Sequence, residues 1–531
     1  MYKMKKMGGF STPVKIMVIA VLVLLVIFPL VRMFAQMTFA DFSAVVHSPV
    51  FSEALVNSVV LSAIATAMSV FLALILAFCM VRTGIRWKGG WNVILTLPML
   101  IPSISHGMGL IILFGGNGIL KNLLGLQSSI YGNVGIVVGS VMYAFPVAYI
   151  MLADVLKYQD TSVYDAADIL GIGKARQFLR LTLPYLARPL AAATFSSFAM
   201  IVTDYGVPLM IGGKVKTLSM LMFEDVISQL QFGKGCVYSL FLIIPAVVAF
   251  ACDLLNKERS NLSFVKTSHR KAGKIGTVAA YLIVVTVSLL ALLPIAAFVI
   301  LAFAKSYPSD MGVTLENITA TLNRGGLRYL INSLVIALLT AIAGTILSYA
   351  CAYLTSRMRS AVSRVIHMLV LAFMAIPGIV LGLSYVTAFS GTVLYGTLAV
   401  IIMVNTAHFM SSPYLMMHNS FGKMNGNLEA VGATLGVSRL RMIKDVLVPQ
   451  SLSTILEMFT YLFVNCMMTI SAVSFLATID TKPISLMINQ FEAQRQYECA
   501  AVVSILILIA NILIKAVSGS VKTMIEGKKA K

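Results

Sequence analysis

The chain has 531 residues, 59% of them hydrophobic and only 11% charged. Ordinary globular chains carry about twice that share of charge, so a soluble enzyme is excluded. A net charge of +20 would suggest nucleic acid in a soluble protein, but in a chain this apolar it is better explained by cations gathered on one side of a membrane.

About 20 apolar residues cross the roughly 30 Å hydrocarbon core. Twelve such runs are predicted, at approximately 15–35, 57–81, 91–114, 133–153, 189–209, 236–255, 276–304, 332–356, 365–388, 395–418, 450–470 and 499–517. The first follows Lys3, Lys5 and Lys6. With no convincing small-residue cleavage site behind it, it reads as a retained anchor and not as a signal peptide. Pro98 and Pro102 in the third run should bend or loosen it, as should Pro377, Gly378 and Gly382 in the ninth. With the N-terminus in the cytoplasm, 30 of the 40 Lys and Arg fall on the cytoplasmic side, and the C-terminus is cytoplasmic too.

Between the fourth and fifth runs lies a polar stretch, YDAADILGIGKARQFLRLTLP, from Tyr164 to Pro184. Ser162 and Asp165 have capping-box spacing for a short helix, and Gly171 suits the left-handed conformation that stops one. An amphipathic stretch with Phe178, Leu179 and Leu181 follows, then Pro184. So short a helix is unstable alone and needs a groove to lie in. Beyond it, Asp204 and Tyr205 sit near the outer end of the fifth run. An acid there is costly and usually faces a cavity or a partner, so this is the first candidate for a solute path or gate. External Lys214, Lys216 and Lys234, interspersed with Glu224 and Asp225, read mostly as solvated surface.

The second half repeats the first. Asn57–Arg82 matches Asn332–Arg357 at an offset of 275, and by the polar stretches the offset is 265. The missing ten residues fall in the loop around 115–129. Glu429 to Pro449, EAVGATLGVSRLRMIKDVLVP, is the second polar stretch, and Gly171 and Pro184, like Gly436 and Pro449, stand 13 positions apart. Thr469, Ser471 and Ser474 occupy the place of Asp204, and Lys482 and Arg495 with Asp480 and Glu492 that of the external charges. Six runs per half means both halves enter the membrane in the same sense. The fold class is therefore all-α integral membrane, about twelve spans in two parallel-repeated six-helix halves. Residues 1–255 form the first repeat with its loop at about 161–184, 256–274 a basic cytoplasmic linker, and 275–531 the second repeat with its loop at about 426–449. The six cysteines, without a Cys-x-x-Cys pair, read as small buried hydrophobes.

Both polar stretches resemble the EAA loop of ABC-importer permeases, the coupling helix that inserts into the nucleotide-binding subunit. Two six-span halves in one chain resemble the fused type I permeases of the iron(III), 2-aminoethylphosphonate and polyamine-type importers. The stretch from Thr203 through Pro208 to Gly213, with its counterpart at 469–476, is most similar to the iron(III)/aminoethylphosphonate branch. Asp165, Ala166, Ala167 and Gly171 match the Glu-Ala-Ala-x-x-x-Gly pattern with Asp for Glu. In the second loop the matching position is Ala430, and Glu429 stands one place early. The resemblance implies that Asp165, Ala166, Ala167, Gly171 and Pro184, with Glu429, Ala430, Gly436 and Pro449, couple to two ATP-binding subunits. Those subunits would hold the ATP and Mg, and an extracytoplasmic solute-binding protein would deliver the solute in a bacterial plasma membrane. The chain itself is expected to be non-catalytic, with no metal, cofactor or nucleic acid; none of its Gly-Lys pairs has Walker A spacing. The solute implied is small and polar or anionic, such as 2-aminoethylphosphonate or ferric iron. The alternative is a twelve-span carrier driven by an ion gradient, which should carry several membrane-buried ionisable residues; apart from Asp204 the chain is poor in them.

Overall fold

The computed structural model describes residues 11–127, 129–159, 162–257, 273–358 and 360–529. Lys3, Lys5, Lys6, Thr161 and residues 258–272 of the expected linker lie outside them. Among the described residues, ten helices are long and apolar enough to cross a membrane. In chain order they are spans 1 to 8, Thr12–Phe34, Pro49–Arg82, Ser103–Leu124, Asn133–Leu156, Phe178–Val202, Phe232–Cys252, Lys274–Ala302 and Glu316–Ser356, then spans 11 and 12, Arg439–Met468 and Tyr497–Ile525. Spans 9 and 10 are broken: Ala361–Phe373 meets Gly378–Phe389 at 107°, and Leu398–Phe409 meets Ser411–Gly422 at 52°. Counting each pair once gives the twelve expected.

The prolines of the third and ninth runs do more than loosen a helix. Pro102 (φ −56°, ψ 151°) and Pro377 (φ −61°, ψ 144°) are extended and each immediately precedes a new helix, Ser103–Phe114 and Gly378–Phe389. A proline lacks the N–H an interior helix position needs and clashes with the carbonyl four residues back, so the helix ends and restarts. A gentler solution recurs three times. Widened π turns at Val23–Ile27, Phe178–Thr182 and Ile443–Leu447 each end two residues before a proline, Pro29, Pro184 or Pro449. The extra width gives the ring room, and the helix continues.

Two compact units do not follow the repeat boundary. Unit 1 contains the described residues up to 38, then 321–487 and those from 506; unit 2 contains 39–320 and 488–505. Each repeat thus gives its opening span to the unit built on the other. In unit 1, span 1 packs on span 9: the Tyr385 hydroxyl donates to the Leu25 carbonyl at 2.7 Å, and Phe28 meets Phe389 edge-on. In unit 2, span 7 packs on span 3 so closely that a Cβ on Gly109 would lie 2.5 Å from Pro294 Cβ. Spans 2 and 4 form the centre of unit 2, where Ala73, Ala77 and Met80 pack with Ala148, Leu152 and Leu156. Small side chains allow the close backbone approach on which helix packing in lipid depends.

The ten-residue length difference is taken up by a short helix, Ile119–Leu124, where the second half has only turns from Ser390 to Thr397. One hairpin was not expected in an all-α chain: Ala304–Ser306 pairs antiparallel with Asp310–Val313. At its tip the Tyr307 hydroxyl donates to the Asn117 carbonyl at 2.7 Å. The six cysteines are free, and all but Cys252 are buried.

Candidate functional site: two equivalent loops

The first loop opens with the helix Ser162–Ile169 and the second with Leu428–Thr434. Each ends at a glycine in the left-handed region, Gly171 at φ +68° and Gly436 at φ +69°. The N–H of Ile172 reaches back to the Ala167 carbonyl at 2.9 Å, and that of Val437 to the Gly432 carbonyl at 2.9 Å. This six-to-one bond across a left-handed glycine is the Schellman stop, which a Cβ at either glycine would strain. Ser162, the expected cap, is the first described residue of its helix, and Asp165 lies in the first turn and is exposed. In one respect the expectation is corrected. The second amphipathic stretch is not a separate stub ending at the proline. It runs through the π turn into spans 5 and 11, with Pro184 and Pro449 as the second residues of the α-helices Leu183–Val202 and Val448–Met468.

Each loop is seated on an arginine at the end of the second span of its half. In unit 2 the Arg82 guanidinium donates to Gln159 and lies over the Tyr164 ring, 4.7 Å from its centroid. The Tyr164 hydroxyl accepts from Gln159 at 2.6 Å and pairs with Thr182 at 2.7 Å. In unit 1 Arg357 holds both carboxylate oxygens of Glu429, at 2.6 and 2.5 Å, and donates to the Asn425 carbonyl at 2.7 Å. At the offset of 265, Glu429 is the counterpart of Tyr164, and Ala430 that of Asp165. The acid that stood one place early in the motif is therefore committed to an arginine of its own chain.

Beyond these seats the loops present apolar side chains outward. Leu170 is 75% exposed and Leu435 73%. Ile169 and Leu179 flank the first, Val431 and Leu440 the second, all exposed. Ala166 and Ala430 are exposed, and Ala167 is buried under its helix.

The profile of the binding-protein-dependent transport system inner membrane component family matches residues 69–257 and again 344–528. The chain belongs to that family. Each match begins beyond the first span of its half, the span that the two units exchange. A ferric transport system permease protein of Actinobacillus pleuropneumoniae is 23% identical over 96% of this chain and 79% of its own length. A putative ferric transport system permease of Haemophilus influenzae is 23% identical over 90% and 80%. A molybdenum transport system permease of Azotobacter vinelandii is 29% identical over 31% of this chain and 76% of its own length.

The expected path residues of the permease occupy corresponding places in the two units but differ in surroundings. Asp204 Oδ2 accepts from the Val207 N–H at 3.0 Å, so it caps the short helix Gly206–Ile211. It also lines, with Ser58, Ser62, Ser140, Thr217 and Ser219, a cavity of about 10 Å³, near the smallest that holds one water. Tyr205 is 2% exposed and stacks on Phe223 at 4.6 Å, packed into unit 2. In unit 1, Thr469 is buried. Ser471 sits beside His408 over Gly378, and Ser474 donates to the Ile470 carbonyl one turn back.

Sequence reasoning missed a pair of clamps at these places. The Asn57 side chain donates to the Lys216 carbonyl at 3.2 Å, and Ser58 Oγ accepts from the Leu218 N–H at 2.7 Å. Asn332 donates to the Lys482 carbonyl at 3.3 Å, and Ser333 Oγ accepts from the Ile484 N–H at 2.7 Å. Ser219 then donates to the Asp204 carbonyl and Ser485 to the Thr469 carbonyl, both at 2.7 Å. The signal was present: an Asn-Ser pair opens both aligned stretches at the offset of 275. Several charges near these places are internally paired, Lys216 with Glu224 and Arg328 with Asp480 at 2.6 Å. Asp225 accepts from the Tyr238 hydroxyl at 2.7 Å.

Proposed function

We propose that this chain is the fused permease of an ABC importer whose solute is ferric iron, with a small oxyanion as the second reading. The reading is carried by the duplicated loop: two leucines, each just before a left-handed glycine and about three-quarters exposed, project from helices too short to stand alone. Each would enter a groove on one of two cytoplasmic ATPase subunits, which supply ATP and Mg. The arginine seats at the ends of spans 2 and 8 would pass movement of the loops into the membrane helices. An external solute-binding protein would deliver the solute in a bacterial inner membrane, and both termini would be cytoplasmic. Ferric iron is favoured because the relatives matched along nine-tenths or more of the chain are named for ferric transport. A molybdenum permease matched over a shorter stretch keeps an oxyanion open, and 2-aminoethylphosphonate stays a candidate of the same chemical class.

The test is uptake into proteoliposomes holding the chain with its ATPase and binding protein, comparing ferric iron with molybdate and 2-aminoethylphosphonate. ATP-dependent import of one solute, lost when Gly171 and Gly436 are both changed to Glu, is expected. Import that survives ATP removal and collapses with the proton gradient would overturn the proposal in favour of an ion-coupled carrier.

A further inference from the structure

At the end of unit 1 that carries the second loop, Thr355, Ser360, Ser363, Arg364, His367 and His418 line an open cavity of about 540 Å³. Small-molecule sites span roughly 300–1,000 Å³. Its wall is made of hydrogen-bond donors: three hydroxyls, two imidazoles and a guanidinium, with no carboxylate among them. The two rings are fixed. They stack with centroids 5.0 Å apart, His418 Nδ1 lies 3.1 Å from Thr355 Oγ1, and His367 Nδ1 is bonded to the Tyr414 hydroxyl. Behind the wall a second cation is held in place: Lys15, 5% exposed, donates to the Ser360 hydroxyl at 2.9 Å and to the Met358 carbonyl at 2.8 Å. The Glu429 carboxylate of the adjoining loop is already taken by Arg357. Among the described residues the Arg364 guanidinium has no hydrogen-bond or ion-pair partner.

We infer that this cavity is a phosphate-oxyanion site, with Arg364 as its anchor and the imidazoles and hydroxyls as further donors. A planar carboxylate would satisfy one edge of the guanidinium, whereas the several oxygens of a phosphate address guanidinium, imidazole and hydroxyl together. The phosphate comes either from an anionic phospholipid headgroup, since basic pockets among membrane helices take such groups, or from free phosphate. Because the cavity adjoins the Arg357–Glu429 seat, its occupant would bear on how firmly the second loop is held.

Phosphate binding at this cavity is independent of which solute is transported. The full chain is purified in neutral detergent. Its melting temperature is followed with inorganic phosphate, and retained lipid is counted by native mass spectrometry after passage through phosphatidylcholine with or without phosphatidylglycerol. Stabilisation by inorganic phosphate identifies the free anion, and selective retention of phosphatidylglycerol identifies the headgroup. Either should weaken about ten-fold or more in Arg364→Ala, the loss of one charge-assisted hydrogen bond. Arg364→Lys, which keeps the charge, should fold and retain part of the effect, and Arg86→Ala, in unit 2, should change nothing. No stabilisation and no selective retention, or the same loss in Arg86→Ala, overturns the inference.

Discussion

Removing the Glu429 carboxylate should release the second loop from its seat and leave the first untouched. Arg357 is 6% exposed and Glu429 23%, with two short charge-assisted bonds between them. Charges about 4 Å apart attract by about 4 kcal/mol at an effective dielectric constant of ~20. Breaking a buried pair by deleting one partner costs about 3–5 kcal/mol. Arg357 keeps the Asn425 and Met424 carbonyls, and water reaches part of the site. The cost of Glu429→Ala is therefore lower here, about 2–3 kcal/mol. The loop should leave its seat about 30- to 160-fold more often. Hydrogen exchange of the amides from Leu428 to Met442 measures this directly, with the helix Ser162–Ile169 as the internal reference. A double-mutant cycle with Arg357→Ala isolates the pair. Unchanged protection, or a coupling energy below about 0.5 kcal/mol, would refute the reasoning.

Leu170→Asp with Leu435→Asp should leave the melting temperature nearly unchanged, because exposed positions tolerate substitution within about 0.5 kcal/mol. The same pair should cut recovery of the ATPase in a pull-down at least ten-fold, about 1.4 kcal/mol; intact recovery would count against the docking role. Gly109→Val should cost about 1–3 kcal/mol by overpacking against Pro294, while Gly116→Val, with open space around it, serves as the neutral control in the same thermal assay. Ser58→Ala and Ser333→Ala should each cost about 1–3 kcal/mol by unpairing a buried amide. Their melting shifts should agree, because the two clamps share one geometry.

The spans and the repeat were legible because lipid demands long apolar runs and because the offsets of 275 and 265 leave little freedom of alignment. The left-handed glycines at 171 and 436 were legible for a local reason, since a helix must stop between Leu-Gly and the basic stretch. What stayed hidden depends on neighbours and not on pattern. A repeat records which segments correspond, not which ones touch, so the exchange of spans 1 and 7 between units left no mark in the sequence. The motif spacing counted from Gly436 made Glu429 look misplaced. Only the arginine at the end of span 8 explains why a carboxylate stands where the first loop has a tyrosine. The stack of Tyr205 on Phe223 was hidden for the same reason, since only the fold brings the two rings together.

The two loop seats differ in kind, a cation over an aromatic ring in one and a bidentate ion pair in the other. A channel assembled from two copies of one gene product would be forced to use the same fastening twice. Joining both halves in a single polypeptide removes that constraint. Because only one fastening uses a carboxylate, a single neutral replacement at Glu429 would loosen one loop while sparing its twin.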